Sequence, residues 1–286
     1  MLAALLFVIA QTPVSPASQE AEESRVERFL LRVDDLHPLG DRKTILKRLG
    51  HGLRIVRQED PSAGLLDLER ASFRTRIHGT YQASRPAGLL VWMDPSDEGV
   101  LPETWGTVFD QRNLIAVAPN AAGGNHYAWN RAGLALAAVH GLMERYAIDP
   151  NRVYVAGRGS GARMVSRLAL GWPDVFQGGL AIGGAAYFEA IPNPERLDGS
   201  WPARFKPPSA SLLRRAREHS RFVFLAGSMD SKRMLCRLQA MHMLDVAGFR
   251  HIAYLEAPRL GADVPSAVWA RRAIDTLDGP LASKER

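Results

Sequence analysis

A glycine-rich segment at residues 153–163 carries the residue types and spacing that point most clearly to chemistry. It begins with a continuous apolar run at residues 153–156, which is typical of a buried strand, and then passes through Gly157, Gly159 and Gly161. A sharp turn between a strand and a helix has two common uses in enzymes. Its backbone amides can surround a phosphate group, or a strained residue in it can present a nucleophilic side chain. A tight turn without a chemical role is the third interpretation.

The phosphate interpretation would make this segment a dinucleotide-binding loop. Gly157, Gly159 and Ala162 fit the relaxed Gly-x-Gly-x-x-Ala pattern. That pattern also needs an acidic residue about 20 positions further on, at the end of the next strand, to bind the ribose. The next predicted strand ends at Ile182 and is followed by Gly183, without an acid. A dinucleotide-binding enzyme is therefore kept only as a second alternative, and we expect no cofactor.

The nucleophile interpretation needs small residues two positions before and two positions after the reactive residue. Gly157 and Gly161 fulfil this requirement, but the residue between them is Gly159, which has no side chain. Ser160 is the alternative nucleophile. It would place Arg158 at the crowded position two residues before it, where an arginine fits poorly. The spacing thus predicts a nucleophile turn whose nucleophile is missing.

The sequence from about Pro86 to Leu277 resembles secreted α/β-hydrolase esterases related to polyhydroxybutyrate depolymerases and feruloyl esterases. The most specific match is Ile-Asp-Pro-Asn-Arg-Val-Tyr-Val-Ala-Gly at residues 148–157, directly before the turn. The supporting segments are residues 88–93, 129–140, 172–176 and 221–227. The resemblance implies an α/β class chain with the α/β-hydrolase fold, in which helices flank both faces of a mostly parallel central sheet.

The resemblance also locates the three residues of the family's catalytic triad. The nucleophile position falls on Gly159, the acid position on Asp230 and the histidine position on Ala262. Asp230 is equally suited to be the N-cap of a following helix, where aspartate is favoured. Acyl transfer needs both the attacking hydroxyl and the imidazole that takes its proton. We therefore expect a pseudo-hydrolase; the alternative is an active serine esterase that uses Ser160 with an unidentified base.

The backbone half of such a site remains available even without the triad. The family's oxyanion donors are amides, here that of Ser160 and one from the loop that begins at Met93 and Asp94. Arg158 adds a positive charge beside the turn, whereas Asp94 adds a negative charge at the rim. The sequence predicts that this remnant pocket binds a small anion or an ester-like ligand. No metal is expected, because Cys236 is the only cysteine and paired-cysteine zinc sites are excluded.

The elements that must position this site alternate between strands and helices. Such alternation favours one open sheet with ligands at the carboxyl ends of its parallel strands. We assign residues 18–52 to a polar, helical lead-in and residues 53–280 to a single domain, in which the proline-rich residues 192–210 form a lid or a surface connection. The predicted strands are residues 53–57, 72–78, 88–93, 114–118, 153–157, 178–182, 222–226 and 252–256, and the predicted helices are residues 131–146, 161–171, 232–247 and 266–277.

The N-terminus and the composition bound the compartment and the partners. The apolar run at residues 2–10 followed by Ser15 and Ala17 predicts a signal peptide over residues 1–17 and export to the periplasm or the extracellular space. After cleavage we expect no membrane association, because no other apolar run is long enough to span a bilayer. The net charge is +6, and the basic clusters lack interleaved aromatic residues, so no nucleic-acid partner is expected. A small-molecule or anionic ligand is the expected partner.

Overall fold

The computed structural model describes residues 27–50, 66–184, 186–195 and 199–279. The predicted signal peptide and the predicted strand at residues 53–57 lie outside these ranges. Within them, no helix is long and apolar enough to cross a membrane.

Strands and helices alternate along most of the described chain. The strands are β1 Glu27–Leu31, β2 Phe73–Ile77, β3 Ala87–Met93, β4 Leu114–Pro119, β5 Ile148–Arg158, β6 Gly178–Ile182, β7 Ile191–Pro192, β8 Ser200–Trp201, β9 Arg221–Gly227 and β10 His251–Ala257. The α-helices are α1 Arg42–Arg48, α2 Gly106–Gln111, α3 Ala128–Met143, α4 Ser160–Gly171, α5 Ala210–His219, α6 Arg233–Met241 and α7 Ala267–Asp278. A 3₁₀ turn, Glu103–Trp105, precedes α2, and a π-helical turn, His242–Val246, follows α6.

Eight of the strands form one twisted sheet in the order β1-β2-β4-β3-β5-β6-β9-β10. The strands β4, β3, β5, β6, β9 and β10 each run parallel to their neighbours in this order. At one edge of the sheet, β2 is antiparallel to β4 and β1 is antiparallel to β2. Because the parallel strands share one direction, the loops after β3, β5, β9 and β10 all leave from the same edge of the sheet. Every loop that the sequence assigned to the site therefore lies at that edge.

The central strands are continuous apolar runs because both faces of the sheet are covered. In β3, Leu89, Val91 and Met93 belong to the core beneath α3 and α4. Leu90 and Trp92 point to the opposite face and pack in the core beneath α2 and α7. This alternation with period two is what a strand between two helical layers requires.

The lead-in at residues 18–52 differs from its prediction as a helical segment. Its described part contains β1, which pairs with β2 at the sheet edge, as well as the short helix α1. The lead-in is thus part of the sheet. Two helices that the sequence analysis missed, α2 and α5, also cover the sheet or extend its helical layer.

The proline-rich segment contains the two-residue strands β7 and β8, which pair with each other. Trp201 and Phe205 are half-buried and pack against the core. Arg167 of α4 holds the segment in place by donating a hydrogen bond from Nη2 to the Arg204 carbonyl at 2.9 Å. The described parts of the segment therefore rest on the domain; a lid function stays a prediction.

Candidate functional site: a strand-to-helix turn without a side chain at its apex

The turn between β5 and α4 has Gly159 at its apex. The backbone dihedral angles there are φ 56° and ψ −112°, in a region that residues with a side chain rarely adopt. A Cβ atom built on Gly159 would have no heavy atom of the described residues within 4 Å, so this position is open with respect to them. Of the two candidates from the sequence, Gly159 and not Ser160 occupies the strained, outward-facing position.

The glycines on either side of the apex are required by close backbone contacts. A Cβ atom on Gly157 would lie 2.7 Å from the Met93 carbonyl oxygen, and one on Gly161 would lie 1.8 Å from the same atom. The end of β3 therefore passes directly beneath the turn. Any side chain at position 157 or 161 would push it away, which explains why the spacing of small residues identified this turn.

Ser160 begins α4 but does not face the open apex. Its Oγ atom is buried and has no hydrogen-bond partner within the described chain. It lies against the loop after β4, since a Cβ atom on Gly124 would be only 3.0 Å from it. The Ser160 hydroxyl is thus closed off from solvent. The N–H groups of this first helical turn have no acceptor within the helix and are free to bind a ligand oxygen.

Asp230 binds the backbone just before α6 and keeps an unused acceptor. Its Oδ1 atom accepts a hydrogen bond from the Lys232 amide at 2.8 Å, but Lys232 itself is the N-cap residue of α6, so Asp230 lies before the cap position that the sequence analysis gave it. Its Oδ2 atom is buried next to Gly183 and has no partner among the described residues. The carboxyl group therefore still presents one oxygen that could accept an N–H group, although no imidazole donates to it here.

Ala262, at the predicted histidine position, is exposed in the loop after β10. This loop is bound to the loop after β9, because the Met229 amide donates to the Leu260 carbonyl at 2.9 Å. Arg158 reaches this loop from the turn and donates from Nη1 to the Ala262 carbonyl at 3.3 Å. The buried Nε atom of Arg158 has no hydrogen-bond partner in the described structure. A guanidinium group thus extends between the turn and the position where the family has its base.

The two remaining residues of the predicted pocket have different roles. The Met93 carbonyl faces the turn, as described above. The Asp94 carboxylate is buried and turned toward its own loop, where Oδ1 accepts from the Ser96 amide at 2.8 Å and Oδ2 accepts from the Trp92 indole at 3.2 Å. The negative charge that the sequence analysis placed at the rim is therefore bound within the β3 loop.

The structure also brings together a pair that sequence reasoning missed. His126 Nε2 lies 2.9 Å from the Asp97 carboxylate, which also accepts from the Gly123 amide at 3.0 Å. Both residues belong to the loops that cover Ser160. Neither residue type nor spacing signals this contact, because the two loops follow different strands.

No cluster of three or more potential metal ligands is present among the residues that the structure describes. A cavity of about 390 Å³ lies between β2 and the loop after β3, is lined by residues that include Leu30, Arg74 and Val100, and includes no residue of the turn. The candidate site is therefore defined by the turn and its flanking loops, not by this cavity.

Comparisons with known proteins concern the fold and part of the sequence. No protein-family model matches the chain. Its sequence is 37% identical over 89 residues to a poly(3-hydroxybutyrate) depolymerase of Ralstonia pickettii, covering 26% of this chain and 18% of that protein. It is 43% identical over 49 residues to poly(3-hydroxyalkanoate) depolymerase C of Paucimonas lemoignei, covering 17% and 12%. The chain thus spans less than a fifth of the length of these relatives.

Two solved structures match almost the whole chain. A feruloyl esterase module from Clostridium thermocellum superposes with a TM-score of 0.54 at 13% identity, covering 96% of this chain and 95% of that one. A ferulic acid esterase superposes with a TM-score of 0.56 at 11% identity, covering 90% and 98%. At such identities the likeness concerns the fold. The chain therefore has the α/β-hydrolase fold, and in part of its sequence it is similar to polyester depolymerases.

Proposed function

We propose that this chain is a carboxylic-ester hydrolase-like protein that binds an ester-like or anionic ligand without hydrolysing it. The observation that carries the proposal is the position of Gly159 at the apex of the turn, where a nucleophile would need a side chain. Ala262 at the predicted histidine position supports it independently, because an exposed methyl group cannot accept a proton.

The chemistry of acyl transfer explains why this combination should be inactive. The attacking oxygen and the base act as one unit, and in a well-studied serine protease the loss of one of them lowers kcat by about 10⁶. Binding and oxyanion donors alone retain a rate of about 10³–10⁴ over water. A protein with neither group would therefore be a very poor esterase.

The ligand class follows from what remains at the turn. The start of α4 offers unpaired N–H groups and the positive end of the helix dipole. Arg158 adds a guanidinium group next to it, and the charge of Asp94 is bound within its own loop. This combination favours a carboxylate or the carbonyl oxygen of an ester.

The proposal is tested by restoring the two missing groups. Hydrolysis of p-nitrophenyl acetate and butyrate is measured for the wild type, for Gly159→Ser with Ala262→His, and for the matched control Gly159→Ala with Ala262→His. We expect activity only in the variant that has the hydroxyl group. Wild-type hydrolysis above background that disappears in Ser160→Ala would contradict the proposal.

A second candidate, an active esterase that uses Ser160, is favoured by one contact. The His126–Asp97 pair lies in the loops that cover Ser160 and would supply a base with its orienting acid. Because the Ser160 hydroxyl is buried and unpaired, this mechanism needs the loop to move. Loss of wild-type activity in both Ser160→Ala and His126→Ala would favour this candidate.

We also propose that the protein is exported. The apolar run at residues 2–10 and the small residues that follow it support a cleaved signal peptide. Expression with a C-terminal tag, cell fractionation and mass determination of the mature chain would test this, and an intact N-terminus in the cytosolic fraction would contradict it.

A further inference from the structure

Three arginines meet between α3 and α4, beside the loop that covers Ser160. Arg131 lies in the first turn of α3 and is only 5% exposed. Its Nε atom donates to the Ala122 carbonyl at 2.7 Å. Its Nη2 atom is buried and has no hydrogen-bond partner in the part of the chain that the structure describes. A buried guanidinium group with a free donor is unfavourable unless something compensates its charge.

Arg163 and Arg167 are one turn apart on α4 and add two positive charges to the same place. Arg167 is fixed by its hydrogen bond to the Arg204 carbonyl and by the Phe205 ring, whose centroid is 5.3 Å from the guanidinium carbon. Arg163 is exposed to solvent. The cluster therefore consists of one buried, one anchored and one accessible guanidinium group.

The charges in this cluster are not balanced by the acids that face it. Burial, followed by the proximity of Arg163 and Arg167, lowers the pKa of Arg131 to about 10. Asp97 is the acid that counteracts this effect, but its carboxylate already pairs with His126 and the Gly123 amide. Asp97 is thus already engaged, and Arg163 is the exposed charge of the cluster.

We propose that the arginine cluster formed by Arg131, Arg163 and Arg167 binds an oxyanion, either a carboxylate or a phosphate group. The accessible fork of Arg163 makes the direct contact, because a planar guanidinium group matches the oxygens of both anions. Arg131 and Arg167 lie behind it and strengthen the attraction through their charges. Arg163 lies in the first turn of α4, so this site adjoins the turn but uses other side chains than Arg158, which reaches toward the loop of Ala262.

The test is a binding titration of the full chain by calorimetry, supported by thermal unfolding, with inorganic phosphate and with 3-hydroxybutyrate. Sodium chloride keeps the ionic strength constant. Loss of one charge-assisted hydrogen bond weakens binding by about tenfold or more, and this is the effect expected for Arg163→Gln. Arg163→Lys, which keeps the charge but not the fork, should lose part of the affinity. Arg237→Gln, at an exposed arginine on α6, is the matched control and should bind like the wild type.

The outcomes separate this proposal from the proposed function. Whichever of phosphate and 3-hydroxybutyrate binds more tightly identifies the class of ligand. Binding of either one supports the site when Arg163→Gln weakens that binding. Binding that is weakened by Arg158→Gln but not by Arg163→Gln belongs to the turn of the proposed function, and that result would overturn the present proposal. Equal affinities of Arg163→Gln and Arg237→Gln, or the absence of binding beyond that of chloride, would overturn the proposal.

Discussion

The close contact between Gly161 and the end of β3 makes a sharp prediction about stability. A Cβ atom at this position would lie 1.8 Å from the Met93 carbonyl oxygen, whereas real Cβ atoms stay at least 3.0 Å from other heavy atoms. In Gly161→Ala the buried strand or the helix must therefore move by more than about 1 Å, beyond the small adjustments that close-packed cores usually accommodate. We expect the free energy of unfolding to fall by more than about 4 kcal/mol, which is exceptional for a single substitution.

Gly159→Ala provides the contrast within the same turn. The added methyl group meets no atom within 4 Å, so only the backbone strain of a positive φ remains. Such strain has a magnitude of about 1–3 kcal/mol. Gly248→Ala is the matched control, because Gly248 has φ 73° and also has open space around it, far from the candidate site.

Urea unfolding followed by tryptophan fluorescence measures all three variants. We expect Gly159→Ala and Gly248→Ala to lose similar amounts of stability, and Gly161→Ala to lose distinctly more or to fail to unfold cooperatively. A Gly161→Ala protein as stable as Gly159→Ala would refute the placement of β3 beneath the turn. The assignment of Gly159 to the nucleophile position would then lose its geometric basis.

Three further predictions concern Asp278 and His37, elsewhere in the fold, and Asp230 at the site. Asp278→Asn should lower the free energy of unfolding by about 1–3 kcal/mol, because it removes the charge that pairs with Arg152, whose Nε and Nη2 atoms donate to the two carboxylate oxygens at 2.9 and 2.8 Å; urea unfolding with Tyr154→Phe as a comparison tests this. Burial, then a neighbouring histidine, lowers the pKa of His37, whose Nδ1 accepts from the Leu39 amide. The unfolded state then binds more protons, so stability should fall as the pH drops below about 6.5, and less so in His37→Asn. Asp230→Asn should keep the hydrogen bond from the Lys232 amide and nearly full stability, whereas Asp230→Ala should lose that bond and about 1 kcal/mol in the same assay.

The sequence was most informative where burial is complete. Strands β3, β4, β6 and β9 are continuous apolar runs because helices cover both faces of the sheet, and their predicted bounds differ from the observed ones by only one residue or none. Strand β1 was missed because it lies at the sheet edge, where burial is incomplete and even the Leu30 side chain stays 57% exposed. Edge elements carry a weaker hydrophobic pattern, so sequence reasoning detects them less well.

The site shows the same division. Glycine spacing predicted the turn because close backbone contacts at a single strand-turn-helix unit exclude any side chain at Gly157 and Gly161. The His126–Asp97 contact and the arginine cluster were not predicted, because each joins loops or helices that are distant in sequence. Such contacts depend on how the layers pack, and no local pattern encodes them.

The structure gives a physical reason why the catalytic groups of this site can be lost without loss of the stability of the fold. Gly157 and Gly161 are fixed by contacts with the backbone of β3, so their replacement would disturb the sheet. Among the described residues, position 159 is open and position 262 is exposed, so a side chain at either position would not contribute to the core. Asp230 lies between these cases, because its Oδ1 atom accepts from the Lys232 amide while its Oδ2 atom is buried and has no donor among the described residues. A histidine introduced at position 262 would have to reach that second oxygen. Activity in the restored variant therefore depends on whether the Arg158 side chain moves away from the Ala262 carbonyl, to which it donates a hydrogen bond.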